Sequence, residues 1–441
     1  MNRPPLPRGT AYAVLAALAA LVIVVSTAIF LGVGGPEGRS ATKVPEPGRP
    51  ATSAASGAWI GSWSTSPSAA EPNTPNGYAG QSIRNVVHTT IGGTGARIQL
   101  SNLYGTQPLA LTHVSLALAA GPGTADAAPG SMRRLTFGAR PTVTIPAGHA
   151  VLSDPVRLVV PQATDLLVTT YSPTPSGPVT HHPHARQTSY LAHGDRAEDL
   201  DGARYRTKTK YWRYLTAVDV WSKDAKGAVA VIGDSITDGV TSTPNTNRRW
   251  TDFLAARLRT EPGAPAYGVL NQGISGNRVL LGSSATVPAN NPSALDRFER
   301  DVLTRTGVRV VVMELGVNDI LRLPQQTDPS RITAGLRKLV ERAHARGLRV
   351  VGATLMPFGG HRGGKPVQES VRQAVNEQIR SGQVFDDVVD LDAALRDPAD
   401  PQRLLPLYDS GDHLHPSDAG YRAMADAVDL ETLKGQASAA L

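Results

Sequence analysis

Residues 229–239 read Val-Ala-Val-Ile-Gly-Asp-Ser-Ile-Thr-Asp-Gly, an apolar run that leads directly into a polar turn. Such a run predicts a short buried strand, and Gly233 permits a sharp backbone turn at its end. In an open α/β sheet, ligands bind beyond the carboxyl ends of the strands. Ser235 is therefore a candidate nucleophile, provided that a base, an orienting acid and oxyanion donors lie at other strand ends.

Around this stretch, strand-like apolar runs alternate with helical patterns, and we predict an α/β domain over residues 225–435. The predicted strands cover residues 228–232, 267–270, 308–315, 349–355 and 388–391. The predicted helices cover residues 250–258, 294–303, 331–346, 370–379 and 417–428. This alternation predicts a doubly wound parallel sheet with helices on both faces.

Polar residues in the last loop of this domain can activate the serine. A serine hydroxyl needs a nearby base, and the base needs a group that fixes its tautomer. His415 can be that base, because Asp412 lies three residues before it and can accept its Nδ1 proton. Pro416 suits a first helical position, so we expect His415 to lie at a helix start. His413 is the alternative base.

Acyl transfer also needs donors that face the developing oxyanion. The expected donors are the backbone N–H groups of Ser235 and Gly273 and the side-chain amide of Asn318, which follow three different predicted strands. Asn277 and Arg278 either line the substrate pocket or have a structural role.

Four motifs of this domain resemble the SGNH, or GDSL-type, hydrolase family across residues 228–428. They are Gly-Asp-Ser-Ile-Thr-Asp-Gly at 233–239, Asn-Gln-Gly-Ile-Ser-Gly-Asn-Arg at 271–278, Gly-Val-Asn-Asp at 316–319 and Asp-His-Leu-His-Pro at 412–416. Their order and placement on the expected elements make the resemblance specific.

This resemblance implies a flavodoxin-like sheet, with Ser235 as nucleophile, Gly273 and Asn318 in the oxyanion hole, and Asp412 with His415 completing the triad. No catalytic position is substituted, which implies an active ester hydrolase. The preceding half of the chain is similar to the accessory domain of some two-domain bacterial members, including carbohydrate acyl esterases.

That preceding half, residues 58–224, has short β-like runs broken by Gly, Pro and Asn, and predicts a β-sandwich of jelly-roll type. The predicted strands cover residues 83–91, 96–103, 109–118, 133–137, 142–145, 156–160 and 165–171. His181, His182 and His184 could bind a metal, but no acidic or Cys partner stands at a metal-site spacing, so we expect a loop cluster without metal. The tryptophans of this half serve either as sugar platforms or as core packing; they are Trp59, Trp63, Trp212 and Trp221.

The N-terminus carries an uncharged apolar run from Ala11 to Val33 that follows two arginines. Its length reaches the roughly 20 residues that span a bilayer, so we predict a signal anchor or signal peptide at residues 1–35 and favour the uncleaved anchor. Residues 36–57 are rich in Gly, Pro, Ser and Ala and predict a disordered linker. The sequence therefore predicts an extracellular or cell-surface protein with the membrane as one partner.

The composition excludes several kinds of functional site and argues against one class of partner. The 441 residues include no Cys, which excludes disulfides, thiolate nucleophiles and Cys-based metal sites, and we expect neither a metal nor another cofactor. The net charge of +7 comes without a dense basic block, which argues against nucleic-acid binding.

We therefore predict a serine ester hydrolase that acts through an acyl-enzyme and removes short acyl groups from a carbohydrate or another extracellular ester. A lipase or phospholipase acting on lipid esters, acyl transfer to a sugar, and a non-catalytic polysaccharide-binding protein are the alternatives. An α/β-hydrolase is disfavoured because Ser235 lacks the second glycine of a Gly-x-Ser-x-Gly elbow.

Overall fold

The structure is a computed structural model that describes residues 57–282 and 291–435. These residues belong to one compact unit. The predicted N-terminal apolar segment and all but the last residue of the predicted linker lie outside the described residues. Within the described ranges, no helix is long and apolar enough to cross a membrane.

The first half of the described chain is built from short strands joined by turns. In chain order they are β1 (Ala58–Ser64), β2 (Ala69–Ala70), β3 (Gln81–His88), β4 (Gly93–Ser101), β5 (Leu109–Leu111), β6 (His113–Leu118), β7 (Arg133–Arg134), β8 (Val143–Ile145), β9 (Ala150–Leu152), β10 (Val156–Val160), β11 (Asp165–Ser172), β12 (Thr180–His182), β13 (Ser189–His193), β14 (Thr207–Thr209), β15 (Trp212–Arg213) and β16 (Leu215–Ser222).

All strand pairs in this half are antiparallel, as the sequence predicts for a β-sandwich. One sheet has the order β1-β16-β4-β10, with β9 also paired to β4, and a second has the order β14-β13-β3-β11-β6-β7. Smaller sheets pair β15-β12-β2 and β5-β8. Apolar side chains of the two large sheets, such as Ile98, Val87 and Val168, share one buried core. The predicted β-sandwich is confirmed.

Two of the tryptophans named above belong to this core. Trp63 and Trp212 are buried and pack edge to face, with ring centroids 4.9 Å apart. Trp59 and Trp221 form a second pair at 5.5 Å on paired strands β1 and β16 and are half-buried. Core packing therefore accounts for Trp63 and Trp212.

The observed strands differ from the predicted ones in two ways. The predicted strand over 109–118 bends at Thr112, so that β5 and β6 pair with different sheets. Strands β12 and β15 escape prediction because they bury polar side chains, including His182 and Arg213, and so lack an apolar alternation.

The second half contains strands that alternate with helices. The strands are β17 (Gly227–Gly233), β18 (Tyr267–Gly273), β19 (Val308–Glu314), β20 (Arg349–Ala353), β21 (Asp387–Val389), β22 (Arg396–Asp397) and β23 (Asp400–Leu404). The helices are α1 (Ser235–Asp238), α2 (Trp250–Thr260), α3 (Ala294–Phe298), α4 (Val317–Leu321), α5 (Pro329–His344), α6 (Pro366–Arg380), α7 (Leu391–Leu395) and α8 (Asp418–Asp426).

The main sheet of this half is parallel and has the strand order β18-β17-β19-β20-β21. Numbered along the domain, this is the flavodoxin-like order 2-1-3-4-5. Every residue of β17 is buried, as expected for a central strand covered on both faces. The predicted doubly wound α/β fold is confirmed, and the carboxyl ends of β17, β18 and β19 meet at Gly233, Gly273 and Glu314.

Helix boundaries follow local capping chemistry. Helix α5 begins at Pro329, two residues earlier than predicted, because the Asp328 side chain accepts a hydrogen bond from Ser330 N–H. Helix α6 also begins at a proline, Pro366. The predicted helix over 294–303 is α-helical only to Phe298 and continues as a π-helical turn over Glu299–Leu303.

The predicted boundary between residues 224 and 225 falls between β16 and β17, where antiparallel pairing gives way to parallel pairing. The two halves nevertheless share buried contacts. Gly61 N–H donates to Thr306 O at 2.9 Å. A Cβ on Gly268 would come within 2.4 Å of Gly61 O, so the two backbones cross in close contact. Leu270 packs into the core of the first half.

Candidate active site

The turn after β17 presents Ser235 as the first residue of helix α1. Asp234 caps this helix, and its Oδ1 accepts a hydrogen bond from Ile236 N–H at 3.0 Å. A Cβ on Gly233 would lie 2.1 Å from Thr237 Oγ1, so only glycine lets the strand turn this tightly into the helix. Ser235 keeps 8% of its surface exposed and is otherwise buried.

His415 and Asp412 come from the distant loop before α8 and complete a chain of hydrogen bonds with the serine. His415 Nε2 lies 2.8 Å from Ser235 Oγ, and His415 Nδ1 lies 2.6 Å from Asp412 Oδ2. Because a carboxylate only accepts, Nδ1 carries the proton and Nε2 can accept the serine proton. The structure thus brings together the three residues that the sequence predicts as a triad.

Backbone N–H groups hold the carboxylate of Asp412 in place. Its Oδ1 accepts hydrogen bonds from Leu414 N–H at 3.0 Å and from His415 N–H at 2.8 Å. Burial acts to raise the pKa of Asp412, but the backbone and side-chain hydrogen bonds of His415 outweigh it, and the pKa falls below its ordinary value. Asp412 therefore stays ionised and accepts the hydrogen bond of His415 Nδ1.

The expectation that Pro416 begins a helix is wrong. Helix α8 begins at Asp418 and is capped by Ser417, whose side chain accepts from Gly420 N–H. A bridge between Asp409 and Pro416 and a hydrogen bond from Ser410 N–H to His415 O fix the loop instead. His413, the alternative base, pairs with Asp409 at 2.6 Å and makes no hydrogen bond to Ser235.

Asn318 in helix α4 reaches the nucleophile turn through its amide. Its Nδ2 donates to Asp234 Oδ2 at 2.9 Å, and its Oδ1 accepts from Arg322 Nε at 3.0 Å. These two partners fix the orientation of the amide, and its second N–H remains available. Asn318 therefore contacts the residue before Ser235 and keeps one N–H free for the donor role predicted for it.

Gly273 does not have the geometry expected of an oxyanion donor. Its N–H donates to Asn271 Oδ1 at 2.8 Å, so it is already used within β18. A Cβ at this position would lie 2.3 Å from Asp238 N, which shows that the glycine is needed for close packing of β18 against α1.

Gly276 is the better candidate donor, and the sequence interpretation missed it. Its N–H has no hydrogen-bond partner among the described residues, and its φ of +76° lies in the left-handed region. A Cβ there would lie 2.5 Å from Arg322 Cζ, so the turn passes directly beneath the residue that orients Asn318. The second glycine of Gly-Ile-Ser-Gly at 273–276 was the available signal.

Asn277 and Arg278, the two candidate pocket residues, hold loops together. The Asn277 amide is buried, with Nδ2 donating to Asn291 Oδ1 and Pro292 O at 2.8 Å each. Arg278 donates to Leu323 O at 3.3 Å and to Gly282 O at 2.5 Å. The contacts of both residues are structural, which is one of the two roles that the sequence left open for them.

Arg297 is a second residue that the sequence interpretation missed. Its guanidinium is buried beneath the site and donates to Gly233 O at 3.0 Å, to Gln272 O at 2.7 Å and to Asn277 Oδ1 at 2.9 Å. Burial lowers the pKa of Arg297 to about 10. One cation thus ties together the ends of β17 and β18 and the following turn. Among the charged residues of 296–301, no sequence signal distinguished it.

Several buried carboxyl groups surround the nucleophile turn. Glu314 Oε2 accepts from Thr237 Oγ1 at 3.0 Å, and burial followed by the neighbouring Asp234 raises the pKa of Glu314 well above its ordinary value. Burial likewise raises the pKa of Asp234. Asp319 accepts from Val279 and Leu280 N–H groups, and burial raises its pKa to about 6. Through these contacts Asp234 and Asp319 hold the backbone around the site.

The histidine cluster of the first half lies partly in strand β12 and not wholly in a loop. His181 Nδ1 lies 3.0 Å from Ala69 O, and His182 Nδ1 lies 2.9 Å from Ser66 O. The His182 ring also reaches into the second half, where Nε2 lies 2.8 Å from Asp238 Oδ1. Among the described residues, no group of three or more His, Cys, Asp or Glu side chains could hold a metal ion.

Comparison with known proteins bears on this geometry directly. Residues 231–423 match the GDSL-like Lipase/Acylhydrolase family, a range that includes Ser235, Asn318, Asp412 and His415. Comparison with curated proteins finds no match.

Several solved structures are also similar to part of this chain. A GDSL-like lipase from Bacteroides thetaiotaomicron VPI-5482 is 19% identical and aligns with 47% of this chain and 88% of its own, with a TM-score of 0.34. A member of the lipolytic protein G-D-S-L family from Veillonella parvula DSM 2008 is 20% identical over 45% and 94%, with a TM-score of 0.33. An acetylxylan esterase from Geobacillus stearothermophilus is 24% identical over 46% and 92%, with a TM-score of 0.34.

The family match covers the segment that holds the serine, the histidine and the carboxylate, so sequence family and site geometry agree. Residues 231–423 therefore form a GDSL-like lipase/acylhydrolase domain, which makes the protein a carboxylic ester hydrolase.

Proposed function

We propose that the enzyme hydrolyses esters through an acyl-enzyme on Ser235. The observation that carries this proposal is the continuous chain from Ser235 Oγ to His415 Nε2 at 2.8 Å and from His415 Nδ1 to Asp412 Oδ2 at 2.6 Å. In this arrangement the base lies within reach of the nucleophile proton, and the acid orients the base.

In the first step, Ser235 Oγ attacks the ester carbonyl carbon while His415 Nε2 takes the hydroxyl proton. The oxyanion accepts hydrogen bonds from Ser235 N–H, Gly276 N–H and the free N–H of Asn318. The C–O bond to the alcohol then breaks, and His415 gives its proton to the departing oxygen. Asp412 stabilises the imidazolium throughout.

In the second step, a water molecule attacks the acyl carbon and His415 takes one of its protons. The tetrahedral intermediate breaks its bond to Ser235 Oγ, which recovers the proton from His415. The products are a carboxylic acid and the regenerated serine, so atoms and charge balance without another reactant. Acyl transfer to a sugar would use the same steps, with a sugar hydroxyl in place of water.

We propose a short acyl group on a carbohydrate, or on another extracellular ester, as the substrate. Polar groups beside the triad support this choice. The terminal N–H groups of exposed Arg322 have no partner among the described residues, and the ring of His361 lies next to Asp412 O, with Nδ1 at 3.3 Å. Such donors and acceptors suit a substrate rich in hydroxyl groups.

A lipid ester is the second candidate, and one surface feature favours it. Leu281 and Leu323 are 47% and 84% exposed. Arg278 donates to Leu323 O and to Gly282 O, which holds their two loops together. An exposed apolar pair of this kind could take part of a longer acyl chain.

The substrate class is tested by comparing hydrolysis of acetylated glycans with that of long-chain acylglycerols by the protein beginning at residue 58. The Ser235→Ala variant serves as the blank for both substrates. We expect kcat/KM to be highest for acetyl esters, and a preference for long chains would reject the carbohydrate substrate. Release of free acetate separates hydrolysis from transfer to a sugar.

We also propose that the enzyme acts outside the cell, either anchored by its N-terminal apolar run or released after cleavage. The run from Ala11 to Val33 and the preceding arginines support export. N-terminal sequencing of the mature protein distinguishes the two forms, because a start beyond residue 33 means cleavage. Activity confined to the cytoplasm would contradict the proposal.

A further inference from the structure

We propose that His182, which belongs to the β-sandwich half, is a positioning residue for the reaction in the other half. It acts through Asp238 and Ser275 on the turn that carries the Gly276 N–H. This inference rests on the proposed function, because it assigns His182 a role in holding the oxyanion donors relative to Ser235.

The contact between the halves is buried and direct. His182 Nε2 lies 2.8 Å from Asp238 Oδ1, and both side chains are 3% exposed. Asp238 is the last residue of helix α1, three residues after Ser235, and its N–H donates to Asp234 O at 2.8 Å. The first half of the chain therefore contacts the nucleophile helix itself.

The second oxygen of Asp238 continues the connection to the neighbouring turn. Asp238 Oδ2 accepts from Ser275 N–H at 3.0 Å and from Ser275 Oγ at 2.6 Å. Gly276 follows directly in the chain. A single carboxylate thus fixes the distance between the helix that starts at Ser235 and the turn that presents the Gly276 donor.

The hydrogen-bond partners determine the charge of this pair. His182 Nδ1 lies 2.9 Å from Ser66 O, which can only accept, so Nδ1 carries a proton. Asp238 Oδ2 accepts two hydrogen bonds from Ser275, and an ionised carboxylate is a stronger acceptor than a protonated one. Burial acts to raise the pKa of Asp238, but the charge and hydrogen bond of His182 outweigh it and the pKa is lowered. Asp238 is therefore the ionised partner, and both ring nitrogens of His182 face hydrogen-bond acceptors.

Neighbouring contacts keep this arrangement rigid. The His182 ring packs beside Trp212, with centroids 5.5 Å apart. Arg249 Nε donates to Asp238 O at 3.1 Å, and its Nη2 donates to Ala185 O of the first half. Reactions of this type are sensitive to shifts of about 1 Å in the reacting groups. Loss of the contacts that join His182, Asp238 and Ser275 should therefore lower kcat more than it weakens substrate binding.

His181 supplies a matched control. It precedes His182 in strand β12, is also buried, and contacts Ala69 O without reaching helix α1. We expect His182→Leu to lower kcat for a short-chain aryl ester by about 10- to 100-fold with little change in KM, and His181→Leu to retain the native kcat. The rate at which an active-site phosphonate labels Ser235 should fall in parallel with kcat.

A second pair of variants tests the same link from the other half. In Asp238→Asn, Oδ1 can still accept from Ser275 and Nδ2 can donate to the Nε2 of a neutral His182, so the geometry is retained. Asp238→Ala removes both contacts. We expect Asp238→Asn to keep most of the native kcat and Asp238→Ala to lose it.

These experiments distinguish failure of the His182 proposal from failure of the Ser235 mechanism. If the His182→Leu and His181→Leu enzymes fold and have equal kcat, the proposal is overturned while the Ser235 mechanism stands. If His182→Leu does not fold, equal kcat values for Asp238→Ala and Asp238→Asn overturn it. Substantial turnover by Ser235→Ala would instead reject the underlying mechanism.

Discussion

Asn318 Nδ2 donates to Asp234 Oδ2 at 2.9 Å, so the carboxylate that caps the nucleophile helix also holds the amide of the proposed oxyanion hole. The other oxygen of Asp234 accepts from Ile236 N–H at 3.0 Å. One buried side chain therefore fixes two parts of the site at once. Substitutions of the two residues should consequently be non-additive.

We expect Asn318→Ala to lower kcat by about 10²- to 10³-fold, because it removes one oxyanion donor. Asp234→Ala should lower kcat to a similar degree, since it releases both Asn318 and the helix cap. The double variant should be little worse than either single variant. Steady-state kinetics of the three proteins tests this, and multiplicative losses would show that the two residues act independently.

Arg322 orients Asn318 from the other side through its Nε bond to Oδ1 at 3.0 Å. Arg322→Met keeps the length of the side chain but removes this bond, and we expect about a 3- to 10-fold loss of kcat, given the usual value of such a bond at an exposed site. Arg362→Met, at another exposed arginine, is the control and should retain the native kcat. Equal activities would remove Arg322 from the orienting role.

Gly273 and Gly276 should respond differently to alanine. At Gly273 the new Cβ would meet backbone atoms of Asp238 at 2.3 Å, which cannot move independently of helix α1. At Gly276 it would meet the flexible end of Arg322 at 2.5 Å. Gly273→Ala should therefore lower the melting temperature more, whereas Gly276→Ala should remain folded and lose kcat. Alanine keeps the backbone N–H, so a folded and fully active Gly276→Ala enzyme would show that the turn and Arg322 accept the new Cβ without any effect on the site.

The protonation of Glu314 gives a pH-dependent stability. Its pKa is raised in the folded protein, so the folded state keeps a proton that the unfolded chain releases above its ordinary pKa. The free energy of unfolding therefore falls as pH rises above that value, by at most about 1.4 kcal/mol per pH unit for this group. Glu314→Gln imitates the protonated acid and should lack this loss.

Urea unfolding at pH 5 and pH 8 measures the effect. The stability of Glu314→Gln relative to the native protein should increase between the two pH values. If the difference in unfolding free energy between Glu314→Gln and the native protein does not change with pH, Glu314 is ionised in the folded state.

The sequence was sufficient for the features that depend on local pattern. The apolar run before Gly233 and the spacing of the later strands predicted the parallel sheet, and the motifs located Ser235, Asn318 and the Asp412–His415 pair. Each of these signals is contained in a few consecutive residues. The family match over residues 231–423 confirms the resemblance on which the site assignment drew.

Features that depend on contacts between distant residues could not be predicted. The use of the Gly273 N–H by Asn271 and the burial of Arg297 beneath two strand ends follow from the packing of separate elements. The partner of His182 lies 56 positions away in the other half. Without knowledge of that contact, three nearby histidines could be assessed only as metal ligands or as a loop cluster.

The central claim is that the acyl group passes through Ser235, and acid-quench mass spectrometry tests it most directly. The enzyme is mixed with an aryl acetate, quenched in acid during turnover and digested, and the peptides are searched for an added acetyl group. We predict acetylation at Ser235 and none in Ser235→Ala, which should also be inactive. An enzyme that turns over without an acetyl group on Ser235, or a Ser235→Ala variant that remains active, would contradict the mechanism.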